Sequence, residues 1–274
     1  MSTKTLWAGL CTMLVAANAW AAYPDEVLAD GPVAYYRFEE TAGTTAADTS
    51  GNGNVGTYMN GALLNQASAA NLGRAAGFDG SDDYVDTPNT VGGDFTLEMW
   101  INTTATSATG SQGYNGTGLL WSDVSGTADD FILAALNDHA AFFTGNPDAT
   151  IEGTSVLNGG GWHHLVATRA QGGATQLYVD AVLQVSGTSN ANVLTANGQI
   201  AVGGNVLDSR FFDGLIDEVA YYPSVLSAAR IQTHYAAGSA TPSQPVPALG
   251  TWALMALGAA LAVFGLAWQR RRIG

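Results

Sequence analysis

More than ten short runs of β-favouring residues, each closed by Gly, Asn, Asp or Ser, succeed one another along this 274-residue chain. Among them one stretch, Leu226, Ile231 and Tyr235 with a candidate cap at Ser227 and a stop at Gly238, reads as a short helix. No helix-length segment separates the runs, so parallel βαβ winding is excluded and an antiparallel two-sheet sandwich is predicted. Phe95 to Ile101 shows the pattern most cleanly, with Phe95, Leu97, Met99 and Ile101 on one face and Thr96, Glu98 and Trp100 on the other. No solenoid or propeller period is present.

The two ends read as processing signals. Met1 to Ala21 has Lys4, an apolar run from Leu6 to Ala17 and the small-x-small site Ala19-Trp20-Ala21, the pattern of a secretory signal peptide over 1–21. The only cysteine, Cys11, lies inside it, so the mature chain is expected to hold no disulfide. Leu10 before Cys11 is too large for a lipoprotein site. At the other end, 252–268 is an apolar run of 17 residues followed by Arg270-Arg271-Arg272. As a helix it would be about 25 Å long, near the lower limit for a membrane span, with the basic end in the cytoplasm. Ser239 to Pro245 has linker composition, which places a linker over 239–247. The segment Val246-Pro247-Ala248-Leu249-Gly250-Thr251-Trp252, the apolar run and the basic stop together resemble a bacterial C-terminal sorting tail of the IPTL type, covering 246–274. That resemblance implies export, initial residence of the tail in the inner membrane, and recognition and cleavage by a membrane sorting enzyme. The protein would then lie in the cell envelope or outside the cell.

Between these ends lie all 23 acidic residues but only Arg37, Arg74, Arg169, Arg210 and Arg230, leaving a net charge near −18. Such a surface repels phosphate backbones, which excludes nucleic acid as a partner. The loop from Asp48 to Gly56 combines three glycines with Asp, Ser and two Asn, an oxygen-rich turn that suits either a cation or a plain compact loop. Phe212 to Tyr222 joins the turn Asp213-Gly214 to an alternating strand carrying Asp217 and Glu218, two charges that need water, donors or a metal if buried.

Six motifs occur in the order seen in laminin-G-like domains of the concanavalin A-like lectin/glucanase superfamily. They are Asp48-Thr49-Ser50-Gly51-Asn52-Gly53, Phe78 to Val85, Phe95 to Trp100, Trp162-His163-His164, Leu177 to Asp180, and Phe212 to Tyr222. The chain resembles that family over a domain at 22–238. The resemblance implies an all-β, two-sheet antiparallel jelly-roll sandwich with its first and last strands side by side. It also implies that the Asp48 loop approaches Asp217 and shares a calcium ion with it, Asp48, the Asn52 carbonyl and Asp217 supplying some of the oxygens. The alternative is that Asp217 accepts backbone N–H bonds from the loop. Ala181 departs from the usual Gly after Asp180, which is expected to weaken a tight two-residue hairpin there.

The superfamily includes glycoside hydrolases, whose retaining members need two carboxylates about 5 to 5.5 Å apart. Here Leu215 stands where the first Glu of the strand motif belongs, and adjacent strand residues such as Asp217 and Glu218 should point to opposite faces. His163-His164 should likewise diverge, one packed and one exposed. No catalytic residue is assigned. Tyr114, Asn115, Trp121 and Asn146 are instead candidates to stack on or hydrogen-bond a sugar, against a reading of Trp121 as core. The sequence thus favours an exported, non-catalytic recognition or adhesion module for carbohydrate or a surface polymer. A structural surface protein comes second and a glycosidase relative third.

Overall fold

The strand Phe95–Asn102 sits at the centre of the architecture and is buried along nearly its whole length. Phe95, Leu97, Met99 and Ile101 enter the main core, as strand alternation requires. The opposite side chains do not meet water either, because Glu98 and Trp100 lie beneath a second apolar cluster built with two helices. The computed structural model describes residues 22–69, 72–126 and 128–240. The expected signal peptide at 1–21, the sorting tail at 246–274 and its membrane helix at 252–268 lie outside these, as does most of the 239–247 linker. Among the described residues no helix is long and apolar enough to cross a membrane.

Two eight-stranded antiparallel sheets face each other across the main core. One runs Val182–Thr188, Ala174–Val179, Trp162–Arg169, Phe95–Asn102, Asp213–Tyr222, Arg74–Asp79, Leu63–Ala67, with Ala34–Tyr36 also paired to Asp213–Tyr222. The other runs Ala149–Val156, His139–Thr144, Phe131–Leu136, Thr117–Ser122, Gln199–Val202, Tyr84–Pro88, Gly56–Met59, Thr45–Ala46. The first strand does lie beside the last, with Tyr35 opposite Ala220. This is an all-β sandwich consistent with a jelly roll. The small pair Gly204–Asn205 and Arg210–Phe211 adds a short ribbon beside Thr117–Ser122.

The first sheet carries two helices on its outer face, Tyr23–Ala29 and Ala228–Ser239. The first is only seven residues long, too short to persist alone. It is held because Tyr23 packs edge-on against Trp100 at 6.1 Å and because Arg230 reaches across to Glu26 and Asp30 at 2.9 and 2.8 Å.

One irregularity positions the charged residues of the closing strand. Asp217 pairs with Trp100 but the next matched residue is Ala220 opposite Glu98, so Glu218 and Val219 together face a single residue, Met99. Glu218 takes φ +52° to form this bulge. Ile216 and Val219 consequently both enter the core, and Asp217 and Glu218 both fall on the outer side. The expectation that these two carboxylates diverge is corrected: strand alternation fails where an extra residue is inserted.

The turn after Val179 is the two-residue hairpin at which Ala181 replaces the usual Gly. Val179 pairs directly with Val182, and Asp180 and Ala181 take φ +52° and +61°. The tight hairpin with both central residues left-handed forms in spite of alanine, and Asp180 helps fix it by accepting hydrogen bonds from the His164 amide and the His163 ring.

Candidate functional site

The most elaborate polar constellation lies under the helices. Glu98 has no exposed surface, and its carboxylate accepts hydrogen bonds from the hydroxyls of Tyr23 at 2.8 Å and Tyr222 at 2.6 Å. It also meets His164 Nε2 at 2.7 Å and His234 Nδ1 at 3.0 Å. Burial alone would raise its pKa, but the charge of His234 and the hydrogen bonds of both histidines outweigh that and hold Glu98 well below the usual carboxylate range. His234 is raised in turn: burial opposes its charge, yet Glu98 and Asp30 on either side more than compensate. His163, by contrast, remains partly exposed and pairs with Asp180. A carboxylate with four donors and no exposed surface ties the two helices to the centre of the sheet.

Asp217 and Glu218 are closed off in the same way, with no exposed surface. Asp217 accepts from the Ser68 hydroxyl and from the Glu218 amide at 2.8 Å, while Glu218 accepts from the Tyr35 hydroxyl and from Arg37 Nε at 3.3 Å. Burial and the neighbouring Glu218 carboxylate push Asp217 well above the ordinary aspartate range. Burial pushes Glu218 up to about 8, with Arg37 opposing.

A calcium ion shared by Asp48, Asn52 and Asp217 does not fit this arrangement. Asp48 accepts three backbone N–H groups, from Tyr35 at 3.0 Å, Ser50 at 2.9 Å and Asn54 at 2.8 Å. Its neighbour Asn52 turns its amide onto the carbonyls of Pro32 and Val33. Asp48 bridges to Tyr36 on the far side of Ala34–Tyr36 from the strand that carries Asp217, roughly two strand spacings or about 10 Å away. Asp217 keeps its own partners there.

The accessible chemistry lies on the outer face of the other sheet. Trp121, Ile132, Ala134, Phe143 and Ala201 form a separate apolar cluster there, against which Tyr114 packs. The short helical turn Gly113–Asn115 presents the Tyr114 ring edge-on to Phe143 at 5.4 Å. The two rings floor a pocket of about 430 Å³ whose walls include Asp123, Asp130, Asp148 and Asp208. Asp130 is 3% exposed and accepts the Val124 amide through Oδ2, while Oδ1 has no hydrogen-bond partner. Burial, then the nearby Asp123 carboxyl, push Asp130 up to about 7.

Of the four residues expected to touch a sugar, Tyr114 lines this pocket and Trp121 lies in the apolar layer behind it, 3% exposed. Asn115 instead closes the turn by accepting the Gln112 amide at 3.2 Å. Asn146 ties loops together, donating to Asp129 at 3.1 Å and accepting from Asn190 at 2.9 Å. The aspartates and Phe143 were not signalled by the sequence. The run Phe142-Phe143 shows no sign of which ring faces outward, and Asp123 to Asp130 reads as an ordinary polar loop.

The family profile described as the concanavalin A-like lectin/glucanases superfamily matches residues 79–232, more than half of the chain. The chain belongs to this superfamily. The IPTL-CTERM motif matches residues 244–272. No curated protein sequence matches the chain. Among solved structures, domain 4 of AbnA, a GH43 extracellular arabinanase from Geobacillus stearothermophilus, in complex with arabinotriose, is similar with a TM-score of 0.56 and 20% identity, over 74% of this chain and 98% of that one. The botulinum neurotoxin serotype D ligand binding domain in complex with N-acetylneuraminic acid gives a TM-score of 0.57 and 13% identity, over 78% of this chain and 52% of that one. The binding domain of Paraclostridial Mosquitocidal Protein 1 gives 0.58 and 12%, over 76% and 52%. The chain therefore spans about half the length of the two toxin chains. At these identities the likeness is one of fold.

Membership of the superfamily places the chain among folds that carry both lectins and glycosidases, so the site has to separate the two. The three carboxylates of the Glu98 and Asp217–Glu218 clusters are sealed in the first sheet. The pocket on the second sheet is open and aromatic-floored.

Proposed function

We propose that this chain is an exported, envelope-sorted recognition module that binds carbohydrate or a surface polymer without cleaving it. In this reading a module at 22–238 is carried out by a signal peptide at 1–21 and delivered by the tail at 246–274, whose span at 252–268 rests in the inner membrane until a sorting enzyme acts. The observation that carries the binding half is the Tyr114–Phe143 floor at 5.4 Å beside oxygen-bearing walls. An aromatic face takes the apolar side of a pyranose or furanose ring, and surrounding carboxylates accept its hydroxyls. The relatives of known structure include one recorded with arabinotriose and one with N-acetylneuraminic acid, which supports a sugar as ligand. Burial of Glu98, Asp217 and Glu218 supports the absence of cleavage.

Screening the full-length chain on a glycan array with and without EDTA tests this. Binding in both conditions, lost on Tyr114→Ala, is expected. No ligand in either condition would favour a purely structural surface protein, and release of reducing ends from a bound glycan would overturn the non-catalytic assignment.

A further inference from the structure

Tyr114 sits on a turn that cannot hold itself. Gly113–Asn115 is a single helical turn of three residues, too short to persist alone, so the direction of the Tyr114 ring is set by whatever grips the backbone around it. Behind the turn, Gly113 lies against Phe143, where an added Cβ would come within 2.5 Å of the Phe143 Cβ. At its start the Gly113 amide donates to Thr150 Oγ1 at 2.9 Å, and that hydroxyl donates to Gln112 Oε1 at 2.7 Å. At its end the grip comes from the ribbon strand Arg210–Phe211: Arg210 Nη2 donates to the Tyr114 carbonyl and Nε to the Gly116 carbonyl at 3.2 Å. The same Nη2 meets Asp208 Oδ2 at 2.6 Å, and Asp208 is held further by Asn205, which donates to Oδ2 at 3.2 Å and accepts the Asp208 amide at 3.0 Å. Tyr114 and Asp208 are among the described residues that line the pocket, and Arg210 is not.

We propose that Arg210 is a positioning residue for this pocket: from outside the cavity it orients the Tyr114 ring and the Asp208 carboxylate for a glycan that it does not itself touch. The inference rests on the reading of this pocket as a carbohydrate site. A guanidinium is a planar fork with five donors in fixed directions, which lets one side chain serve two carbonyls and a carboxylate together; a lysine ammonium carries the same charge without the fork. Thr150 and Gln112 secure only the start of the turn, so its end depends on Arg210. A ring already held in its binding direction spares the ligand the cost of ordering it, a factor of about ten in affinity for one side chain.

The test joins hydrogen exchange of the free full-length chain to binding curves on a printed glycan array that includes arabinotriose and N-acetylneuraminic acid. Wild type is compared with Arg210→Ala, Arg210→Lys, Tyr114→Ala and the double variant Tyr114→Ala with Arg210→Ala. Arg210→Ala is expected to speed exchange at the Gly113 and Gly116 amides with little change in melting temperature, and to weaken the tightest-bound array glycan by about tenfold. Arg210→Lys should recover little of that loss. In the Tyr114→Ala background the Arg210 substitution should cost far less than tenfold, because the ring it orients is gone. Full recovery by Arg210→Lys would make charge the cause and overturn the proposal, as would losses that simply add in the double variant. A global fall in melting temperature with exchange raised throughout the sandwich would mark Arg210 as a residue of overall stability and overturn it too. Unchanged exchange at the turn beside intact glycan binding would overturn the Arg210 assignment alone, whereas absence of glycan binding by the wild type would overturn the carbohydrate reading and this proposal with it.

Discussion

His234 Nδ1 lies 3.0 Å from Glu98 and His234 Nε2 lies 3.0 Å from Asp30, so one buried imidazole joins the second helix to the centre of a sheet and to the end of the first helix. Tyr23 and Tyr222 complete the same carboxylate. The outer face of the first sheet is therefore closed by a polar clamp inside an apolar cluster.

Removing the imidazole leaves two carboxylates facing each other under the helices. His234→Ala is expected to cost about 3 kcal/mol, the scale of a broken buried ion pair, read as a lowered melting temperature. The effect depends on pH with a fixed sign. His234 is raised above its ordinary 6.5, so its contribution is complete below about pH 6.5 and is lost as pH rises through the folded value. Glu98 is held below its ordinary 4.5, so its contribution is complete above about pH 4.5 and is lost as pH falls through the folded value. The difference between wild type and variant should peak between these two limits; a difference that grows steadily above pH 7 would contradict the clamp.

Asp217 behaves in the opposite sense. Its folded pKa is raised above 3.8, so its burial makes the protein progressively less stable as pH climbs above that value. Asp217→Asn keeps partners for Ser68 and the Glu218 amide and removes the repulsion with Glu218. A gain in stability at pH 7 is expected in denaturant titration, shrinking as pH falls towards the ordinary aspartate range.

Asp48 is a backbone acceptor in this fold. Asp48→Ala strands three N–H groups and should cost about 2 kcal/mol or more, while millimolar calcium should leave the melting temperature of both forms unchanged. A calcium-dependent rise in wild type alone would restore a shared metal site with Asp217.

Ala181 at φ +61° bears the steric penalty of a left-handed alanine. Ala181→Gly should stabilise by about 0.5 to 1 kcal/mol, visible as a rise of a few degrees in melting temperature. A loss would show that the Ala181 methyl, which packs against the outer apolar cluster, is worth more than the relieved strain.

Tyr114 supplies the open ring of the pocket. Tyr114→Ala should weaken glycan binding by about tenfold or more with little loss of stability, since the ring is only half-buried. Unchanged affinity would move the binding surface elsewhere.

What the chain determined by itself was the class of fold. Alternation at Phe95 to Ile101, turn residues between the runs and one helical stretch were enough to specify an antiparallel sandwich, because period-2 burial is a local property of strands. Weakly patterned edge strands such as Leu63–Ala67 and Ala149–Val156, and the helix Tyr23–Ala29, were not legible. The two strands pair with hairpin neighbours but carry little hydrophobic contrast, and the helix is held by Trp100 and Arg230, far along the chain. The site was still less legible. The Asp217–Glu218 bulge, the separation of Asp48 from Asp217 and the outward turn of Phe143 are consequences of register between strands. Register is set by pairing across the sheet, and a one-residue shift exchanges inside for outside. Tyr114 could be nominated from its residue type; that it shares a pocket with Asp123, Asp130 and Asp148 was decided only when the second sheet brought four separate loops and strands together.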